Sequence, residues 1–169
     1  YKRQGPDAKV ASITGTITGL ASATSAVSAI VLGRVSDRVG PRRILIACGS
    51  AACVLYGLQS LAQTTLQFTI LRVVNGAAMG GIVAATSALL AELAPKDRFG
   101  AVYGVNTSLT AAANAIAPLM GAALTASWGL STAFLGAAAM YGLATLVVAL
   151  MVPGKAESKD LTESLDAAS

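Results

Sequence analysis

The chain has 169 residues, of which 54% are hydrophobic and only 12% charged, with a formal net charge of +4 and a mean hydropathy of +0.67. A soluble domain carries about 25% charged residues to keep its surface wet, and disorder needs low hydrophobicity with high net charge, so both are excluded. Histidine is absent, which excludes a histidine proton relay or a histidine metal site.

In chain order, Tyr1–Lys9 is polar, and Gly5-Pro6-Asp7 signals a turn. No charged residue lies between Val10 and Gly33. A membrane-crossing helix needs ~20 apolar residues to span a core ~30 Å thick, so a first span is expected at about 11–32. Thr14, Thr18, Ser22, Ser25 and Ser28 recur at spacings of three and four along one face. They either bond back to their own helix or line a polar surface. Gly15 and Gly19 form a small-residue pair suited to close helix packing.

A charged loop is expected next, over residues 34–43. Gly40 suits a turn, and Pro41 fits poorly inside a helix. A second span at about 44–61 holds Cys48 and Cys53, which point to different sides and read as small apolar residues. Gln59, Ser60, Gln63, Thr64 and Thr65 then weaken the hydrophobicity, and a short loop is expected at 61–66. A third span at about 68–90 carries Arg72, Asn75, Gly76 and Gly80. The stretch Glu92–Gly100 ends it. A fourth span at about 102–125 contains Pro118, and Trp128-Gly129 marks an interfacial turn. A fifth span runs over about 132–152, and Pro153-Gly154 leads into a polar tail. The fold class is therefore all-α: a polytopic membrane protein with five transmembrane helices.

Orientation follows from the basic residues. Arg34, Arg38, Arg42, Arg43, Lys96, Arg98, Lys155 and Lys159 fall on one side; Lys2, Arg3 and Lys9 fall on the other. By the positive-inside rule the first side is cytoplasmic. Residues 1–10 are then an extracytoplasmic segment, 11–152 the transmembrane domain, and 153–169 a cytoplasmic tail. The positive charge is a topology signal, so no nucleic acid is expected as a partner. A charged external start that begins with Tyr suggests that another helix precedes it.

Three motifs carry more than topology. In Gly33-x-x-x-Asp37-Arg38-x-Gly40-x-Arg42-Arg43, basic residues alone would retain a loop inside, but Asp37 is costly beside the bilayer unless paired. It could pair with an arginine or with a helix N-terminus, locking one conformation of a moving bundle. Gly33 would allow close approach of another helix. Arg72 lies within a span, where an arginine either snorkels to the interface or faces a water-filled path. On the fourth span, Tyr103, Thr107, Thr110 and Asn114 form a polar stripe with Asn106 beside it. Such a stripe is helix–helix glue or a pore lining. Pro118 at its end permits a bend.

The loop GRVSDRVGPRR resembles the loop motif of the major facilitator superfamily, which recurs in both six-helix halves of those transporters. LRVVNGAAMGG (71–81) is similar to the family's Arg-x-x-polar-Gly pattern, with Arg72, Asn75 and Gly76 matching. LTAAANAIAPLMGAAL (109–124) resembles its Gly-Pro-x-x-Gly-Gly element; Pro118 and Gly121 match, while Ala117 and Ala122 stand where glycines are usual. The relaxed copies point to the C-terminal half, helices eight to twelve, with helices two to six as the alternative, and to the drug:proton antiporter group.

That resemblance implies one half of a secondary transporter, with the N-terminal half, the lipid bilayer and a small-molecule substrate as partners. It implies alternating access, proton-coupled efflux of small organic compounds or drugs, and a plasma (inner) membrane location. Gly33, Asp37, Arg38, Gly40, Arg42 and Arg43 would form the gate loop. Arg72, Asn75, Tyr103, Asn106, Thr107, Thr110 and Asn114 are candidates for the translocation path. Gly15, Gly19, Gly76, Gly80, Pro118 and Gly121 would serve packing and bending. Uptake of a sugar or metabolite, and a non-transporting membrane scaffold, are the competing readings.

No phosphate-binding loop or nucleophile–base pair is present, so neither enzyme activity nor a cofactor is expected. Asp37, Glu92 and Asp97 all fall at span ends, so a proton-coupling acid would lie outside this chain.

Overall fold

The computed structural model describes residues 6–95 and 98–152, with side chains from Thr14 onward. The described residues form five helices: α1 (Pro6–Val39), α2 (Pro41–Ser60), α3 (Thr65–Leu93), α4 (Phe99–Trp128) and α5 (Leu130–Met151). Each is long and apolar enough to cross a membrane. Only helices can do so with such short connections, because each satisfies its backbone hydrogen bonds internally.

The helices run longer than the spans read from the sequence. α1 has 34 residues, or ~51 Å at ~1.5 Å per residue, well beyond the ~30 Å hydrocarbon core. The expected charged loop over 34–43 is corrected: α1 continues through Asp37 and Arg38, and α2 begins at Pro41. Arginine is a good helix former, and nothing before Gly40 forbids helical backbone. Pro41 is compatible with a helix here because it sits in the first turn, where its missing N–H is not needed.

The start of α3 has a local cause. Thr64 caps it by accepting a hydrogen bond from the Gln67 backbone N–H at 3.3 Å, while Gln67 Oε1 accepts from the Gln63 N–H at 3.2 Å. This is close to a reciprocal capping box, and Thr64-x-x-Gln67 is its sequence signature. At the other turn, Gly129 (φ 87°) is both the C-cap of α4 and the N-cap of α5.

Spatial order differs from chain order. α3 packs between α1 and α2, α5 packs on the other side of α2, and α4 lies outermost against α5. Successive helices alternate in direction, so α1 and α3 run parallel, and Ala21 and Ser25 of α1 meet Gly76 and Gly80 of α3 in step. The core is made of small residues. Ala52 and Ala85 are fully buried, and Ile44, Cys48 and Ala85 form a cluster with Leu32, Leu45 and Ile82 around it. Small side chains let backbones approach, and close packing replaces the hydrophobic effect that lipid cannot supply. α4 has no buried residue.

Candidate functional site

The arginine-rich motif folds into an elbow one residue wide. Gly40 has φ 99°, a backbone conformation that L side chains rarely adopt, which is why glycine stands there. Its N–H donates to the Ser36 carbonyl at 2.8 Å and closes α1. Arg42, in the first turn of α2, is half-buried and donates from a guanidinium nitrogen to the Ala149 carbonyl at 2.7 Å. Ala149 belongs to the last turn of α5, where free carbonyls carry the negative end of the helix dipole. The motif thus ties the start of α2 to the end of α5.

Asp37, Arg38 and Arg43 are exposed, and Asp37 has no ion pair among the described residues. Of the two pairings open to it from the sequence, with an arginine or with a helix N-terminus, the one with an arginine is not found among the described residues. Gly33 lies against α3: a Cβ there would rest 3.8 Å from the Ala84 Cβ, an ordinary contact. Ser36 is 1% exposed, and its hydroxyl has no partner among the described residues. Lys96 and Asp97 of the second charged loop lie outside the described residues, as do the first five residues and the tail beyond Val152.

On α3, Gly76 and Gly80 meet the backbone of α1 directly. A Cβ at Gly76 would run into the Ala21 carbonyl, and one at Gly80 into the Ser25 carbonyl. Ser28 strengthens the same contact by donating to the Ala77 carbonyl at 2.7 Å. Within the α1 hydroxyl face, Ser28 therefore bonds across to a neighbour. No atom beyond the local helix comes within 4 Å of a Cβ built at Gly15, Gly19 or Gly121. Arg72 is half-buried. Asn75, one turn further along α3, is 2% exposed.

The polar stripe of α4 has two kinds of member. Tyr103 donates to the Ser87 carbonyl of α3 at 2.8 Å, and Thr110 bonds back to the Asn106 carbonyl at 2.8 Å. Thr107 and Asn114 are exposed, and Asn106 is half-buried. A groove of about 430 Å³ opens beside the stripe, between Leu90 of α3 and Val102, Val105 and Asn106 of α4. Pro118 lies inside α4, which continues through it.

Sequence reasoning missed the contact at Ala149, the burial of Gln59 and the aromatic group formed by Tyr56, Phe68, Phe134 and Tyr141. Tyr56 and Tyr141 stack with centroids 5.3 Å apart, and Phe68 meets Phe134 edge-on at 5.7 Å. None of these contacts has a local signature, since each joins helices distant in sequence. Among the described residues no group of His, Cys, Asp and Glu is placed to hold a metal ion.

Parallel and antiparallel membrane-spanning helices, packed through glycines and joined by an arginine-flanked glycine elbow, define a polytopic helical membrane protein built for close helix contact. The chain matches the Major Facilitator Superfamily over residues 8–167 and belongs to that family. It is 36% identical over 125 residues to the multidrug resistance protein MdtG of Erwinia billingiae (strain Eb661), covering 74% of this chain and 30% of that protein. It is also 36% identical over 130 residues to the protein of that name from Rahnella sp. (strain Y9602), covering 77% and 32%. The Escherichia coli (strain K12 / DH10B) protein of that name is 36% identical over 131 residues, covering 78% and 32%. The chain spans about a third of the length of the curated relatives it matches. No solved structure matches it.

Proposed function

We propose that this chain is part of an efflux carrier for small organic compounds, working by alternating access and driven by a proton gradient. The observation that carries this reading is α4. It is a membrane-spanning helix with no buried residue, yet it places Thr107 and Asn114 on its open surface. A bare amide is costly in lipid, so this face turns toward a water-filled cavity or toward a second half of the carrier. Its polar groups are neutral, which suits apolar or weakly polar solutes better than highly charged ones. The name of the relatives supports the same substrate class.

In this reading the arginine end is cytoplasmic, the membrane is a bacterial inner membrane, and a second six-helix half completes the cavity. Rocking of the halves would open the site to one side at a time. Asp37, exposed and without an ion pair among the described residues, would engage the other half in one of the two states. The coupling acid would come from outside this chain, because Asp37 and Glu92 lie in the last turns of α1 and α3.

The test is ethidium accumulation in drug-sensitive cells expressing the full-length carrier. Lower accumulation than in control cells, abolished by a protonophore, is the expected result. Accumulation equal to that of control cells would refute efflux. Reduced accumulation that survives the protonophore would refute proton coupling.

A further inference from the structure

Two buried amides stand in one part of the α2–α3 seam. Gln59 is 3% exposed and Asn75 is 2% exposed. Both polar atoms of the Gln59 side chain, and Oδ1 of Asn75, have no hydrogen-bond partner among the described residues. A buried amide is ordinarily satisfied by protein or by ordered water, and lipid can supply neither.

The register places these amides at related depths. Gly81 of α3 packs on Cys48 of α2, and the two helices are antiparallel. Gln59 therefore lies level with about residue 70 of α3, and Asn75 sits ~7–8 Å deeper at ~1.5 Å per residue. Gln59 is next to the last residue of α2, at one face of the bundle. Asn75 is ~15 Å along α3 from Thr65, half of a hydrocarbon core ~30 Å thick.

Other polar groups share this band. Tyr56 and Tyr141 stack beside it, and the Tyr141 hydroxyl donates to Met79 Sδ at 3.4 Å. A thioether is a weak acceptor, so the phenol oxygen retains its capacity to accept. Beyond Asn75 the seam closes on the apolar cluster of Ile44, Cys48 and Ala85.

We propose that ordered water occupies the α2–α3–α5 seam from Gln59 to Asn75, forming a blind inlet that reaches the middle of the membrane. The inlet enters from the end opposite the Gly40 elbow and stops at the apolar cluster. It gives Asn75 contact with bulk water that is independent of any central cavity. Its existence does not depend on what the protein carries.

The test is radiolytic hydroxyl-radical footprinting of the full-length carrier in lipid nanodiscs, where radicals form at bound water and label its neighbours. Tyr56, Met79 and Tyr141 are expected to be oxidised about tenfold faster than Cys48, despite the greater intrinsic reactivity of cysteine, because ordered water lies only beside the first three. Equal or slower oxidation of those three overturns the proposal. A Gln59→Leu/Asn75→Leu double variant that melts like the parent is expected to lose the excess labelling. Retention of that labelling would show that these amides hold no water, which also overturns the proposal. If the double variant does not fold, the comparison within the parent protein decides.

Discussion

The Arg42 guanidinium donates to the Ala149 carbonyl across 107 residues of sequence, joining the first turn of α2 to the last turn of α5. The bond satisfies a carbonyl that a helix end leaves free, and places a cation at the negative end of a helix dipole. Among the described residues it is the one side-chain hydrogen bond between α2 and α5, helices that otherwise meet through small and aromatic residues.

Arg42→Ala is expected to destabilise the protein by about 1.5–3 kcal/mol, the range for a hydrogen bond involving a charged group. Arg43→Ala, at an exposed neighbour, is expected to stay within ~0.5 kcal/mol of the parent. Chemical denaturation of the two variants in detergent checks this. Equal stability would show that the tie to α5 contributes nothing.

Gly80→Ala is expected to force α1 and α3 apart at Ser25, costing about 1–3 kcal/mol, as overpacking usually does. Gly15→Ala has open space around it and an alanine is the better helix former, so it should be neutral or stabilising by up to ~1 kcal/mol. Thermal melting of both variants separates the two sites. A Gly80→Ala protein as stable as the parent would mean that the close crossing is absent in solution.

Much of the fold was legible because uncharged stretches of spanning length are rare and have only a few structural solutions. Their ends were not. Arg34 to Arg38 read as a loop because the residues are charged, yet charge does not break a helix. The break falls at Gly40, where positive φ is required. Equal patterns also had unequal fates. Gly15/Gly19 and Gly76/Gly80 share one spacing, but among the described residues only the second pair meets another backbone. The reason is the neighbour, and the arrangement that puts α3 against α1, and α2 against α5, is set by the whole bundle rather than by any window of sequence. The contact at Ala149 and the burial of Gln59 escaped notice for the same reason.

Asp37→Asn is expected to leave stability within ~0.5 kcal/mol of the parent, because the carboxylate is exposed and without an ion pair among the described residues. Transport by the full-length carrier is expected to fall to a small fraction of the parent rate. Ethidium efflux measured at matched expression checks the claim. Parent-level efflux would remove Asp37 from the gating cycle.

Single cysteines at Thr107, Thr110 and Asn114 are expected to react with a charged methanethiosulfonate reagent, whereas cysteines at Val105, Leu109 and Ile116 stay unmodified in lipid. The first three share one face of α4, and the others lie off it. Reaction rates in proteoliposomes holding the full-length carrier provide the measurement. Uniform protection along α4 would favour the scaffold reading over a water-lined path.

Tyr103→Phe removes the hydroxyl that reaches the Ser87 carbonyl and should cost about 0.5–1.5 kcal/mol without altering labelling at Asn114. Unchanged denaturation would mean that the α3–α4 contact rests on packing alone.

The elbow at Gly40 has a mechanical consequence. Consecutive Cα atoms are ~3.8 Å apart, so a one-residue joint leaves no slack between α1 and α2. Neither helix can slide along its axis or turn about it without loading the other at that point. The Arg42 bond passes the same load on to α5. Torque applied near the membrane surface would therefore reach three of the five helices as a single lever, while α4, held mainly at its side against α5, would be left as the part that can lag behind.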